Sequence, residues 1–207
     1  MPSTKDSKSE PTILPPERVR AVDVAEACRH AGLCFMNEAP LWTKETFSVW
    51  LAGPYAAVTE GVQAAAAWQP LPLYESIDSR MVTRLLRSAY SEVRTALLRD
   101  TQSPGLPAFA SAMQEGRFVM GHAALGGTTA YAPTLAARRL PDVVLALFAA
   151  DCLFRPGDYV NALAFCGRCQ VLSFDRDTRL RGHCSRHVGM FASASPLRSF
   201  PHLREGA

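Results

Sequence analysis

Phe165-Cys166-Gly167-Arg168-Cys169 and, after a fourteen-residue spacer, Cys184-Ser185-Arg186-His187 form the stretch whose reading decides the fold. Two residues between ligands let a tight turn aim both side chains at one ion, with N–H groups of the turn directed at the sulfurs. Two such turns complete a tetrahedron, so the spacing predicts a zinc site of Cys166, Cys169, Cys184 and His187. His183, one residue before Cys184, is the alternative fourth ligand. Residues 170–174 and 179–181 are expected to pair as a hairpin across Asp175-Arg176-Asp177-Thr178, bringing the second turn back to the first. Four protein ligands close the shell, whereas a hydrolytic zinc keeps a position for water, so the site reads as structural. Cysteine is also a common core residue, and accidental spacing of buried thiols is the competing reading.

Upstream of these turns the pattern is helical. Residues 140–154 read as a helix closed by Arg155-Pro156-Gly157. A longer one runs from Asp78 or Ser79 to about Arg99, with Met81, Leu85, Ala89, Val93 and Ala96 as its apolar stripe. Arg80, Arg84, Arg87 and Arg94 lie around its other side, a cationic face interleaved with Glu92. Nearer the start, a helix from Arg18 is expected to stop at Gly32, and a second one capped by Thr43 to break at Gly53-Pro54. Residues 56–68 read as a third. The stretch 109–130 is apolar and rich in small residues, with no secure helical register. The predicted fold is therefore mainly α, with a C-terminal zinc ribbon-like hairpin. Its expected organisation is a disordered arm at 1–17, a helical domain at 18–158, the zinc module at 159–190 and a flexible tail at 191–207.

Composition bounds the function. With 207 residues, 48% hydrophobic and 20% charged, the chain can bury a sizeable core and is not a disordered protein. No run of about 18 apolar residues exists and residues 1–16 carry no apolar signal core, so no membrane association is expected and the location reads as cytoplasmic. Six cysteines without an export signal point to metal or buried thiols, and Cys28, Cys34 and Cys152 fall in apolar helices as core thiols. The net charge is only +3, yet 19 of the 22 cationic residues are arginine. Arginine's planar fork suits phosphates and guanine edges, although a GC-rich genome gives the same bias.

Residues 175–184 superficially resemble the hairpin of HNH nucleases. Those keep histidines around the aspartate, whereas Phe174 and Arg176 flank Asp175 and neither serves as a general base near neutral pH. His122 has no Ser/Asp or Cys partner at a recognisable spacing, and no phosphate-binding Gly loop is present. A non-enzymatic role is expected.

Three features in order carry a resemblance. Leu85 to Arg94 is similar to a Leu-Tyr-Lys-Glu-Val/Leu-Arg helix, Ser103-Pro104-Gly105-Leu106-Pro107-Ala108-Phe109 to a Ser-Pro-x-Gly-x-Leu-Pro-Phe loop, and His122-Ala123-Ala124-Leu125 to a His-Ala/Ser-Ser-x-Phe segment. With the cysteine turns that follow, residues 75–190 resemble the FlhC-like activators, the DNA- and zinc-binding subunit of the flagellar master regulator and its relatives on conjugative elements. His187 stands where that family has a fourth cysteine, Arg94-Thr95 replaces its Arg-Gly, and residues 1–70 exceed its N-terminal helix. The resemblance implies a transcription activator subunit that binds double-stranded promoter DNA with an FlhD-like partner and meets RNA polymerase. Arg80, Arg84 and Arg87 on the helix, with Arg179 and Arg181 on the zinc hairpin, would be the DNA contacts. The rival is a zinc-stabilised protein-interaction adaptor without DNA affinity.

Overall fold

The computed structural model describes residues 20–58, 78–103, 106–125, 127–134 and 139–188. Their order is α1 (Ala21–Glu38), a 3-10 turn (Ala39–Leu41), α2 (Lys44–Trp50), a π turn (Leu51–Tyr55), α3 (Ser79–Gln102), α4 (Pro107–Gln114), β1 (Val119–Leu125), β2 (Thr128–Thr134), α5 (Leu140–Phe154), α6 (Pro156–Asn161), β3 (Leu163–Phe165), β4 (Leu172–Phe174), α7 (Arg176–Arg181) and α8 (Ser185–Val188). The molecule is mainly helical, with its Cys/His cluster beside a small C-terminal hairpin. The expected arm and tail, and all but the start of the helix at 56–68, lie outside the described residues. None of the described helices is long and apolar enough to cross a membrane.

α5 is the axis. Every residue from Leu140 to Cys152 is buried, because a helix apolar on all sides must be covered on all sides. α1, α3 and the β1–β2 hairpin supply most of that cover. The two charges in α5 are neutralised in place: Arg117 Nε donates to Asp142 at 2.7 Å, and Asp151 is held by the arginines described below. Cys28 and Cys152 are core thiols as expected, and burial pushes Cys152 up to about 12.

Gly32 does not stop α1. The helix runs six residues further, and Gly32 is where it meets α5: a Cβ there would lie 2.8 Å from the tip of the buried Phe148 ring. A glycine inside a helix costs backbone entropy, and here it permits the close approach. Gly32→Ala is expected to destabilise the protein by about 1–2 kcal/mol, since overpacking of roughly 1–3 kcal/mol outweighs a helix-propensity gain of at most about 1 kcal/mol. Urea unfolding of the two proteins measures it, and a stabilised alanine variant would refute the close-packing role.

Gly53-Pro54 does not break the second helix either. Thr43 caps it, its Oγ1 accepting from Thr46 N, and the chain passes through Pro54 as a π turn into helical residues 56–58. Widening the turn accommodates a ring that would otherwise strike the carbonyl four residues back.

The stretch 109–130 is a short helix and then a strand. β1 pairs antiparallel with β2 from Leu125↔Thr128 to Val119↔Thr134, and Gly127 adopts φ +80° in the connection. Gly-Gly between two strands is the hairpin signal that explains this. His122 stands exposed on β1.

On α3 the buried row is Val82, Leu86, Ala89, Val93 and Leu97, which keeps Ala89 and Val93 of the expected stripe and replaces Met81, Leu85 and Ala96. Met81 is exposed, and Leu85 and Ala96 flank the core. Packing against α5 selects among these apolar positions.

Candidate metal centre

β3 and β4 pair antiparallel, Leu163↔Phe174 to Phe165↔Leu172, and the Cys166–Cys169 turn closes the hairpin between them. Cys166 N donates to Val171 O at 3.0 Å and Gln170 N to Cys166 O at 2.9 Å, which fixes the turn. Gln170 takes a left-handed conformation, φ 60°, that glycine would adopt more readily. Its side chain has a task that glycine lacks: Nε2 donates to Gly167 O at 3.0 Å, and Oε1 accepts from Arg94 of α3.

The second ligand pair is presented by a helix end. Residues 179–181, expected as a strand, belong to α7, because Asp175 caps it by accepting from Asp177 N at 3.1 Å and Thr178 N at 3.2 Å. Gly182, at φ 73°, ends α7 and turns the chain toward Cys184. Gly167 N donates to Gly182 O at 2.8 Å, joining the two turns, and Cys184 N donates to Cys166 Sγ at 3.4 Å.

Cys166, Cys169, Cys184 and His187 form a potential metal-binding site, their donor atoms all within 4.8 Å of one another. Cys169 Sγ lies 3.8 Å from Cys184 Sγ, and His187 Nδ1 lies 3.5 Å from Cys166 Sγ and 3.2 Å from Cys184 Sγ. A tetrahedral zinc with ordinary ligand lengths has edges of about 3.8 Å between sulfurs and about 3.6 Å from sulfur to nitrogen, close to the three distances just given. Burial opposes ionisation of Cys166, yet N–H groups of Cys169, Cys184 and Arg168 bring its thiol down to about 5. Cys184 goes the other way, pushed up by burial and by Cys166 and Cys169 beside it. A dication at the centre relieves that repulsion. His183, the alternative ligand, is not in the cluster; its ring packs against Gly167, where a Cβ would lie 3.1 Å from it.

This module is fastened to the helices. Asn37 of α1 pairs with the backbone of Leu172 in both directions, at 2.8 and 3.1 Å. Arg29 lays its guanidinium 4.0 Å over the Phe174 ring while its Nε donates to Asp151 at 2.7 Å and its NH2 to Asp158 at 2.7 Å. Asp151, wholly buried, also accepts from Tyr159 at 2.9 Å and from Arg155 Nε at 2.9 Å. Sequence reading missed Arg29, Asn37 and Asp151. Neither spacing nor periodicity singles them out: α1 carries Asp23, Glu26, His30 and Glu38 besides Arg29 and Asn37, and α5 carries Asp142 besides Asp151.

The candidate DNA contacts divide into two groups. Arg80, Arg84 and Arg87 are exposed on α3, and Arg181 is exposed at the end of α7, 3.8 Å from Asp177. Arg179 is partly buried and donates to Leu163 O at 2.7 Å, so it braces the hairpin. Arg94 is drawn over Phe165, 5.4 Å from its centroid, away from the free cationic face. From Arg94 to Arg80 the axis of α3 runs about 21 Å, so the helix arginines lie about 10–21 Å from the point where the metal module docks. No family model, curated protein or solved structure matches this chain.

Proposed function

We propose that the chain is a zinc-containing transcription activator subunit that binds double-stranded DNA through α3 and acts in the cytoplasm with an FlhD-like partner. Zinc is the ion that three thiolates and one imidazole in a tetrahedron select, and a closed shell gives it a structural role. The observation that carries the DNA reading is the composition of the exposed face of α3. Along 24 residues, about 36 Å of helix, it presents Arg80, Arg84, Arg87 and Arg99 with Ser88, Ser91 and Thr95.

Both carboxylates within the helix are engaged elsewhere. Glu92 accepts from Arg117 and Arg139, and the buried Asp100 accepts from Ala108 N at 2.7 Å. Asp78 remains at the N-terminal cap. A solvated helix face normally mixes both signs, whereas an arginine and hydroxyl face suits a phosphate backbone.

Asp175, the residue a nuclease would need, supports the non-enzymatic reading through its role as a cap. Hydrogen bonds from Thr178 hold its carboxyl below the usual range. The adaptor reading has the same zinc module and differs only in lacking DNA affinity.

The test is a salt-titrated DNA-binding assay with and without the co-expressed partner. Arg84→Ala with Arg87→Ala is expected to weaken binding and to reduce the salt slope by about 2, one for each lost phosphate contact. Unchanged binding, with affinity lost only on Arg181→Ala, would move the contact to the metal module. No affinity under either condition would leave the adaptor.

A further inference from the structure

On the opposite side of α1 from its packing against α5, the 3-10 turn, α2 and the π turn enclose a cleft of about 380 Å³. That volume suits a small molecule rather than a folded partner. Leu41, Trp42, Val49, Trp50 and Pro54 make its apolar wall, and Glu38 is the only charged residue among those that line it. None of the ion pairs among the described residues uses Glu38.

The walls are built and stiff. The indole of Trp50 is buried, stacks on Phe47 at 5.9 Å and on Tyr55 at 5.3 Å, and donates from Nε1 to Ala31 O at 3.0 Å. The ring of Trp42 meets it at 5.8 Å with the planes 42° apart, and Phe35 closes edge-on behind Trp42. Pro54 holds the far side through the π turn, a local distortion that recurs at binding sites. Leu41 and Val49 are 87% and 69% exposed, a pair of large apolar side chains left in contact with water.

The lining of Leu41, Trp42, Val49 and Pro54 suits an uncharged hydrocarbon part, and the carboxylate of Glu38 adds a full negative charge. A neutral apolar guest would use the walls and gain nothing from Glu38, and an anion would be repelled by it. We propose that this cleft binds a small lipophilic organic cation, of the aryl-alkyl quaternary ammonium type, with the indoles receiving its apolar part and Glu38 its charge. This site is independent of the metal centre and of the DNA-binding face.

The full-length protein is titrated with benzyltrimethylammonium and, separately, with neopentylbenzene, its uncharged isostere, following tryptophan fluorescence and heat of binding. Saturable binding with at least a fivefold preference for the cation is expected. Glu38→Gln, a change at an exposed position that leaves the core alone, is expected to abolish that preference while the neutral compound binds as before. Equal affinity for the two compounds, absence of saturable binding, or an unaltered preference in Glu38→Gln would overturn the proposal. So would sedimentation showing a dimer that Leu41→Asp dissolves, because a second copy would then be the occupant.

Discussion

Cys166→Ser is expected to lower metal affinity at least about 100-fold and to lower the melting temperature of the whole protein in a single transition. Loss of a partner that merely orients a ligand already costs about 10–100-fold, and Cys166 is itself a donor. It is also the best prepared of the four, fully buried and receiving the N–H of Cys184. The effect should reach the helices because β4 is bonded to Asn37 and its Phe174 lies under Arg29. A chelator should reproduce the loss in the unmutated protein, since metal binding free energy is folding free energy when the ligands are scattered in the unfolded chain.

Acid should do so too. Protons compete with the metal for the thiolates, so occupancy falls as pH falls. Elemental analysis with thermal unfolding checks both arms. A Cys166→Ser protein with one metal ion per chain and an unchanged melting temperature would refute the centre.

The second large effect is expected at Asp151. Removing it by Asp151→Leu should cost about 3–5 kcal/mol, because the variant takes from two partly buried arginines and the buried Tyr159 hydroxyl their shared partner. Four hydrogen bonds from three residues converge here: Arg29 of α1 donates to Asp151 and Asp158, and Arg155, between α5 and α6, and Tyr159 of α6 donate to Asp151. Arg29→Met alone should cost less, since Asp151 keeps Arg155 and Tyr159 while Phe174 is uncovered. The double variant should cost less than the sum, because the Arg29–Asp151 contact can be lost only once. Urea unfolding of the four proteins in the cycle measures the coupling; additive losses would show that the pair does not act as a unit. Metal affinity of Arg29→Met is a second readout, expected to fall through its contact with the module.

The two effects differ in how far they were legible beforehand. Ligand spacing is a local property: Cys-x2-Cys and Cys-x2-His encode turns whose geometry depends on a few bonds, and all four residues come together as their positions imply. The same holds for the cap at Thr43 and for the all-apolar helix at 140–154, whose period and length leave little choice but burial. Arginines at 80, 84 and 87 share a face by helical period alone, and that face is exposed.

What the chain's order could not supply are choices between locally equivalent states. Gly32 reads as a stop and serves as a contact because Phe148, over a hundred residues on, needs its space. Residues 179–181 alternate like a strand and coil into α7 because Asp175 satisfies the N–H groups of that turn. On α3 Ala89 and Val93 are buried as their period implies, and packing against α5 sets Val82, Leu86 and Leu97 beside them in place of Met81, Leu85 and Ala96.

Arg94 and Arg179 carry the same charge as Arg84 and Arg181, yet the metal module claims the first two as braces and leaves the others to solvent. The sequence by itself determined the helical class, the Cys/His cluster and where cations are plentiful. Tertiary structure alone decided which cations are free and which glycine is a hinge of packing, because side-chain partners distant along the chain set the energy of each alternative and local propensities differ by less than about 1 kcal/mol.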